Sequence, residues 1–316
     1  MAIVARFPSP RRGRRRRLKS LAFLPSVMTL GNLLCGLAAI HFAARAMYEL
    51  GTGVPAAPPR TFPSALVELM LPSFLSVGAG LVLLGMALYS FDGLLARMTR
   101  STTDFGGQLD SLADVVTFGV APAVLMVTLM TTHLADESIL PSPTSAHLLG
   151  RFAWVSAAVY VAFTAIRLAR FNVEHAKAEF DYRTFRGLPC PGAAALIVGL
   201  IIFQDQEVGQ PFQRVIVSAM PFIALATAFL MVSRIAYTRP QRTYLVGRQP
   251  FGQFVGLVLI FAFFWLYKAP TLLLLALWYW LSGPVAHLLT RMRGRRMAAV
   301  EPQQEESDAS TERLAN

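Results

Sequence analysis

The chain has 316 residues, of which 54% are hydrophobic and 15% charged, and a mean hydropathy of +0.50. Soluble domains carry about 25% charged residues, so this composition excludes a soluble globular protein and implies an integral membrane protein. The formal net charge of +11 does not point to nucleic acid, because the arginines end apolar runs and no basic face with interleaved aromatics lies outside them.

The chain opens on a basic segment, residues 1–20, containing "RFPSPRRGRRRRLK". The apolar run that follows has no clear small-residue cleavage site, which favours a retained first membrane helix over a signal peptide. Apolar runs of membrane-crossing length then predict about eight helical spans, over residues 21–47, 66–90, 111–132, 151–171, 191–204, 214–234, 251–267 and 270–290. The expected architecture is an all-α polytopic bundle over residues 21–292, with no soluble domain and no internal repeat. The connectors "GTGVPAAPPRTFP" and "ADESILPSPTS" are Pro- and Ser-rich outer loops, and the polar tail 293–316 reads as disordered. Cys35 lies in an apolar run and Cys190 in a basic loop; two such cysteines make no disulfide framework and read as reduced spectators.

Arginine and lysine set the orientation. An inside N-terminus also puts Arg97, Arg100, Arg167, Arg170, Lys177, Arg183, Arg186, Arg234, Arg239, Arg242, Arg248 and the Arg291–Arg296 cluster inside. The opposite loops hold only Arg45, Arg60, Arg151, Arg214 and Lys268. Cytoplasmic loops collect the positive charge, so both termini are expected in the cytoplasm.

Between the second and third spans runs "DGLLARMTRSTTDFGGQLDSLAD", Asp92 to Asp114. Asp110 and Asp114 are four residues apart and share a helical face, and Asp92 approaches from the neighbouring helix. Carboxylates near a bilayer are costly and face polar cavities. Three converging there would repel one another unless a cation neutralised them, and hard oxygen ligands suit Mg²⁺ or Mn²⁺. Gly93, Gly106 and Gly107 remove side chains where a phosphate could approach, and Arg97 offers a bidentate grip beside the small Ala96. Asp104 reads as a helix N-cap. The bland alternative makes Asp92 and Arg97 an interfacial pair and Asp110 and Asp114 ornaments of a helix start.

Asp92-Gly93, Ala96-Arg97, Gly106, Asp110 and Asp114 match D-G-x2-A-R-x8-G-x3-D-x3-D, the signature of the CDP-alcohol phosphatidyltransferases, at every fixed position. "TLGNLLCGLAAI", "RLARFNV" and "FRGLPCPGAAAL" further resemble the bacterial phosphatidylserine synthases of that family, and the likeness covers about Pro25 to Ile201. The resemblance implies a six-helix core with extra C-terminal helices, in the cell membrane, with the active site at the cytoplasmic face. It implies CDP-diacylglycerol and L-serine as substrates, membrane lipids as surroundings, no nucleic acid, and a homodimer. On the same grounds Asp92, Asp110 and Asp114 would hold Mg²⁺ or Mn²⁺, with Asp114 as general base. Gly93, Ala96, Arg97, Gly106 and Asn32 would contact the CDP portion, and Arg167 and Arg170 the acceptor.

Alternatives accompany several of these residues. Arg167 and Arg170 also read as positive-inside anchors, and Asn32 as a helix–helix hydrogen-bonding residue. "GLPCPG", Gly187–Gly192, is a rigid turn opening a helix, while Glu68 and His41 are structural or interfacial. One departure is clear: fuller forms of the motif carry another metal-binding Asp three residues before Asp92, where this chain has Tyr89. A phenol, with a reference pKa of about 10, substitutes poorly for a carboxylate. Competing readings are therefore a family member using glycerol phosphate or inositol phosphate, a CDP-lipid-binding relative disabled by Tyr89, and a transporter. Transport would need charged groups near mid-membrane in several spans, and here they crowd one face.

Overall fold

The computed structural model describes residues 24–52, 72–99, 104–134, 143–176, 184–206, 210–238, 269–290 and 292. The expected span 251–267, the basic N-terminal segment, both Pro-rich connectors, Glu68 and the polar tail lie outside the described residues. So do the side chains of Ala96, Arg97 and Asp104.

Helices account for nearly every described residue. They are α1 (Leu24–Thr52), α2 (Phe74–Thr99), α3 (Asp104–Asp114), a π-helical segment (Val115–Val120), α4 (Ala121–Leu134), α5 (Pro143–Ala176), α6 (Cys190–Asp205) and α7 (Gln213–Val232). A last helix, α8, covers Ala269–Thr290. Hydrocarbon offers backbone groups no partner, so a long apolar run must satisfy its own amides, and the helix does this locally. Six rods are long and apolar enough to cross a membrane, with α3, the π segment and α4 forming one of them, and α6 is a shorter apolar helix. The bundle is therefore polytopic and helical, with six full-length spans and the shorter α6 among the described residues; the remaining expected span, 251–267, lies outside them.

Several limits differ from the hydropathy reading for one reason: polar ends continue the helical hydrogen bonding after the apolar run has stopped. α5 is 34 residues long and carries "RLARFN" inside it. α2 runs on past Asp92 to Thr99, and α3 begins at Asp104, so the acids lie within helices rather than at their tips.

The third rod is the centre of the bundle. Of its most apolar stretch 67% is buried, against 33% for α1 and 11% for α8. Small residues let its neighbours approach closely. A Cβ on Gly36 of α1 would meet Thr117 Oγ1 at 2.6 Å, and one on Gly85 of α2 would meet Asn32 Oδ1 at 2.8 Å. Leu34, Leu37, Trp154 and Phe222 point outward, as expected of faces that meet lipid.

The π segment has a cause in the sequence. Pro122 brings no N–H and its ring crowds the carbonyl four residues back, that of Phe118. The helix widens, Ala121 N–H reaches Val116 O, and the buried Tyr160 hydroxyl donates to Phe118 O at 2.9 Å. Tyr160→Phe should leave that carbonyl orphaned and cost about 1–3 kcal/mol. A lowered thermal midpoint in detergent is expected, and an unchanged midpoint would contradict the assignment.

Two three-residue strands, absent from the all-helical expectation, clip one end of the bundle together. β1 (Thr184–Arg186) pairs antiparallel with β2 (Ala236–Thr238), Phe185 opposite Tyr237. Gly187 follows at φ +82°, where a Cβ would strike the Met231 carbonyl, so this tight turn requires glycine. Gly187 N–H donates to Ile235 O at 2.8 Å and Leu188 N–H to Leu230 O at 3.1 Å, which seats the start of α6 on the end of α7. Pro189 caps α6 and Pro191 lies in its first turn, where a missing N–H costs nothing.

Candidate active site

The end of α2, the start of α3, the end of α5 and the start of α6 meet at one end of the bundle. There the structure brings Asp92, Asp110 and Asp114 together. The charge of Asp92 acts on Asp110, and those of both act on Asp114. Asp92 and Asp114 are buried, at 8% and 3% exposure.

α1 supplies a donor to two of these acids. Thr29 Oγ1 donates to Asp92 Oδ2 at 2.8 Å, and Asn32 Nδ2 donates to Asp114 Oδ1 at 3.1 Å. Thr117 Oγ1 in turn donates to the Asn32 carbonyl at 2.8 Å, tying α1 to the π segment just beyond Asp114. Asn32 is fully buried with its side-chain oxygen toward Gly85. Asp92 Oδ1, Asp110 Oδ1 and Asn32 Oδ1 are buried with no hydrogen-bond partner. Sequence reasoning passed over Thr29, although it stands three residues before Asn32 on the same helical face.

The donor chemistry fits a hard divalent cation: three acids, with two of the orphaned oxygens on Asp92 and Asp110. Among the described residues no three His, Cys, Asp or Glu groups stand close enough to enclose an ion by themselves. An ion there would need further oxygens, from water or a substrate phosphate, to complete its shell. Gly107 faces open space, with nothing within 4 Å of where a Cβ would stand. Gly93 ends the apolar part of α2 and Gly106 lies in the first turn of α3.

Tyr89 lies one turn before Asp92 on α2. Its ring meets Phe118 edge-on, with centroids 5.7 Å apart, and its phenol feels the charges of Asp114, Asp110 and Arg167.

The two arginines have different surroundings. Arg170 is 31% exposed; its Nε lies 3.5 Å from Glu174 Oε1 and its Nη1 donates to Val232 O at 3.2 Å. Arg167 is only 8% exposed, with Nη1 donating to Cys190 Sγ at 3.3 Å and Nε without a partner. Among the described residues the single salt bridge is that of Arg170 with Glu174, so Arg167 is a buried cation with no direct ion pair. Cys190 is the first residue of α6 and fully buried rather than in a loop, so it too belongs to this cluster. Beside the acids, Ser111 and Asn172 exchange hydrogen bonds of 2.9 and 3.3 Å that join α3 to α5.

An acidic, partly orphaned cluster beside a buried arginine with no salt bridge, at one end of the bundle, suits a phosphate-bearing substrate and a second anion. The sequence profile of the CDP-alcohol phosphatidyltransferases matches residues 22–233. The chain belongs to this family. The matched segment of the phosphatidyltransferase ends one residue after α7, so it holds the first five full-length spans and α6, and α8 lies beyond it. The chain is similar to the CDP-diacylglycerol–serine O-phosphatidyltransferase of Methanocaldococcus jannaschii, 31% identical over 183 residues that cover 58% of this chain and 72% of the relative. With the enzyme of that name from Mycobacterium leprae the identity is 28% over 298 residues, covering 92% and 82%. With that of Helicobacter pylori it is 36% over 126 residues, covering 40% of this chain and 46% of the relative.

Proposed function

We propose that this phosphatidyltransferase moves the phosphatidyl group of CDP-diacylglycerol to the hydroxyl of L-serine, giving phosphatidylserine and CMP, at the cytoplasmic face of the cell membrane. The observation that carries the choice of acceptor is Arg167. Arg167 is buried and makes no salt bridge to a described acid, Asp114 acting on it only through its charge, and an acceptor carboxylate would give it a direct partner. The names of the similar proteins support the same acceptor.

In the reaction the serine oxygen attacks the phosphorus that carries diacylglycerol. The anhydride P–O bond breaks, and CMP leaves with the other phosphate. Asp114 takes the serine proton, its carboxylate held from one side by Asn32. Asp92, Asp110 and Asp114 would hold Mg²⁺ or Mn²⁺, which supplies charge neutralisation at the pyrophosphate when bound. Gly93 and Gly106 keep the backbone open to the phosphates, and Ala96 and Arg97 continue α2 along the CDP side. Arg167 orients serine, while Arg170, occupied by Glu174 and Val232, steadies the end of α5.

An acceptor panel on the reconstituted protein tests this reading. Serine should be converted, and glycerol phosphate and inositol phosphate should not; transfer to either phosphate in place of serine would overturn it. Tyr89 favours one rival, a relative that binds CDP-lipid without turnover, since its ring fills the place of a ligand. Tyr89→Asp adds a fourth carboxylate to the cluster. We expect about tenfold tighter Mn²⁺ binding, the scale of ligand-shell changes, and a lower thermal midpoint without metal. Wild type that gives no product while Tyr89→Asp turns over would establish the rival.

A further inference from the structure

We propose that Thr29 is a positioning residue, and that α1 acts as a clamp setting the orientation of the acids contributed by the two spans beside it. The inference rests on the proposed reading of the acids as a cation site. Torsion about the last bond of an aspartate is broad and roughly two-fold, so packing alone leaves the plane of a carboxylate poorly set. Thr29 fixes it for Asp92: the hydroxyl holds Oδ2 at 2.8 Å and leaves Oδ1 buried and unpartnered. Hydrogen bonds from a hydroxyl to an ionised carboxylate are among the stronger ones, and this one is shielded from water at both ends, with Thr29 4% and Asp92 8% exposed.

One turn along the same face of α1, Asn32 does the same for Asp114, holding Oδ1. Asp92 comes from α2 and Asp114 from α3, so no local feature of either helix fixes their separation. α1 does so by touching both, and Thr117 fastens it to the π segment that follows Asp114. Each acid thereby has one oxygen committed to α1 and one left for a ligand. The close contact of α1 with α2 at Gly85, directly beside Asn32, keeps the clamp rigid.

The partners that orient metal ligands typically contribute 10–100-fold in affinity. Direct Mn²⁺ titration of the purified full chain, followed by electron paramagnetic resonance, reads this without turnover. Thr29→Val, similar in shape but lacking the hydroxyl, should weaken Mn²⁺ binding by at least about tenfold, and Thr29→Ser should restore it. In the transfer assay Thr29→Val should raise the Mn²⁺ requirement while the KM for serine stays unchanged. Thr29→Ala serves as a second hydroxyl-free variant should valine disturb the fold. Mn²⁺ affinity equal to wild type in a folded hydroxyl-free variant, or a Thr29→Ser as weak as Thr29→Val, would overturn the proposal. Wild type that binds Mn²⁺ but transfers to no acceptor would overturn the proposed reaction alone, whereas wild type that binds no Mn²⁺ would overturn the clamp as well.

Discussion

Asp114→Asn should lower phosphatidyl transfer by about 10²–10⁴-fold, the usual contribution of a positioned general base, while the protein remains folded. The amide keeps the size of the carboxylate and can still accept from Asn32 through its own oxygen, so the contact between α1 and α3 survives. What disappears is the proton acceptor and one of three mutually repelling charges. Stability should therefore hold or rise in the absence of metal. CMP release and phosphatidylserine formation, followed together on reconstituted protein, should fall in parallel. Activity within a few-fold of wild type would remove Asp114 from the chemistry.

The second large effect falls on the acceptor. Arg167→Met should raise the KM for serine by about 10–100-fold, the range set by losing a hydrogen bond to a charged group, with little change in the KM for CDP-diacylglycerol. Methionine fills similar volume but removes a cation whose charge acts on Asp114, so the thermal midpoint should fall without metal, and the KM comparison is made on protein shown to be folded. Arg167→Lys should recover little, because a point charge does not reproduce the planar fork that grips a carboxylate. The same change at Arg170, which is 31% exposed and already paired with Glu174, should leave the serine KM nearly unaltered. Equal effects at the two positions would mean that both act only as membrane-face cations.

Much of the fold and of the acidic cluster is legible in the amino-acid sequence. The apolar runs announced membrane helices because hydrocarbon admits few other structures. The spacing of Asp110 and Asp114 placed them on one helical face whatever lay around them. The ends of the rods were not legible in the same way, since hydropathy detects where a chain prefers lipid and the helix continues for as long as its amides find partners. That is why α5 runs well beyond its apolar stretch and Asp92 lies inside α2. Partners across helices were hidden for a different reason. Thr29 and Asp92 are 63 positions apart and Asn32 and Asp114 are 82, and no local periodicity encodes such pairs.

Arg167 and Arg170 illustrate the same limit. Three residues apart on one helix, they carry the same composition signal, yet one faces the interior and the other the rim. The π segment, by contrast, had a visible cause in Pro122; what the sequence concealed was the Tyr160 hydroxyl that satisfies the displaced carbonyl.

Binding of labelled CDP-diacylglycerol to purified protein, with and without Mn²⁺, measures the cation site at the meeting of α2 and α3 most directly. Wild type should bind the nucleotide-lipid in a Mn²⁺-dependent manner, and Asp92→Asn and Asp110→Asn should each lose at least about tenfold of that affinity. Binding that ignores the metal and survives both substitutions would contradict a shared cation as the receptor of the pyrophosphate.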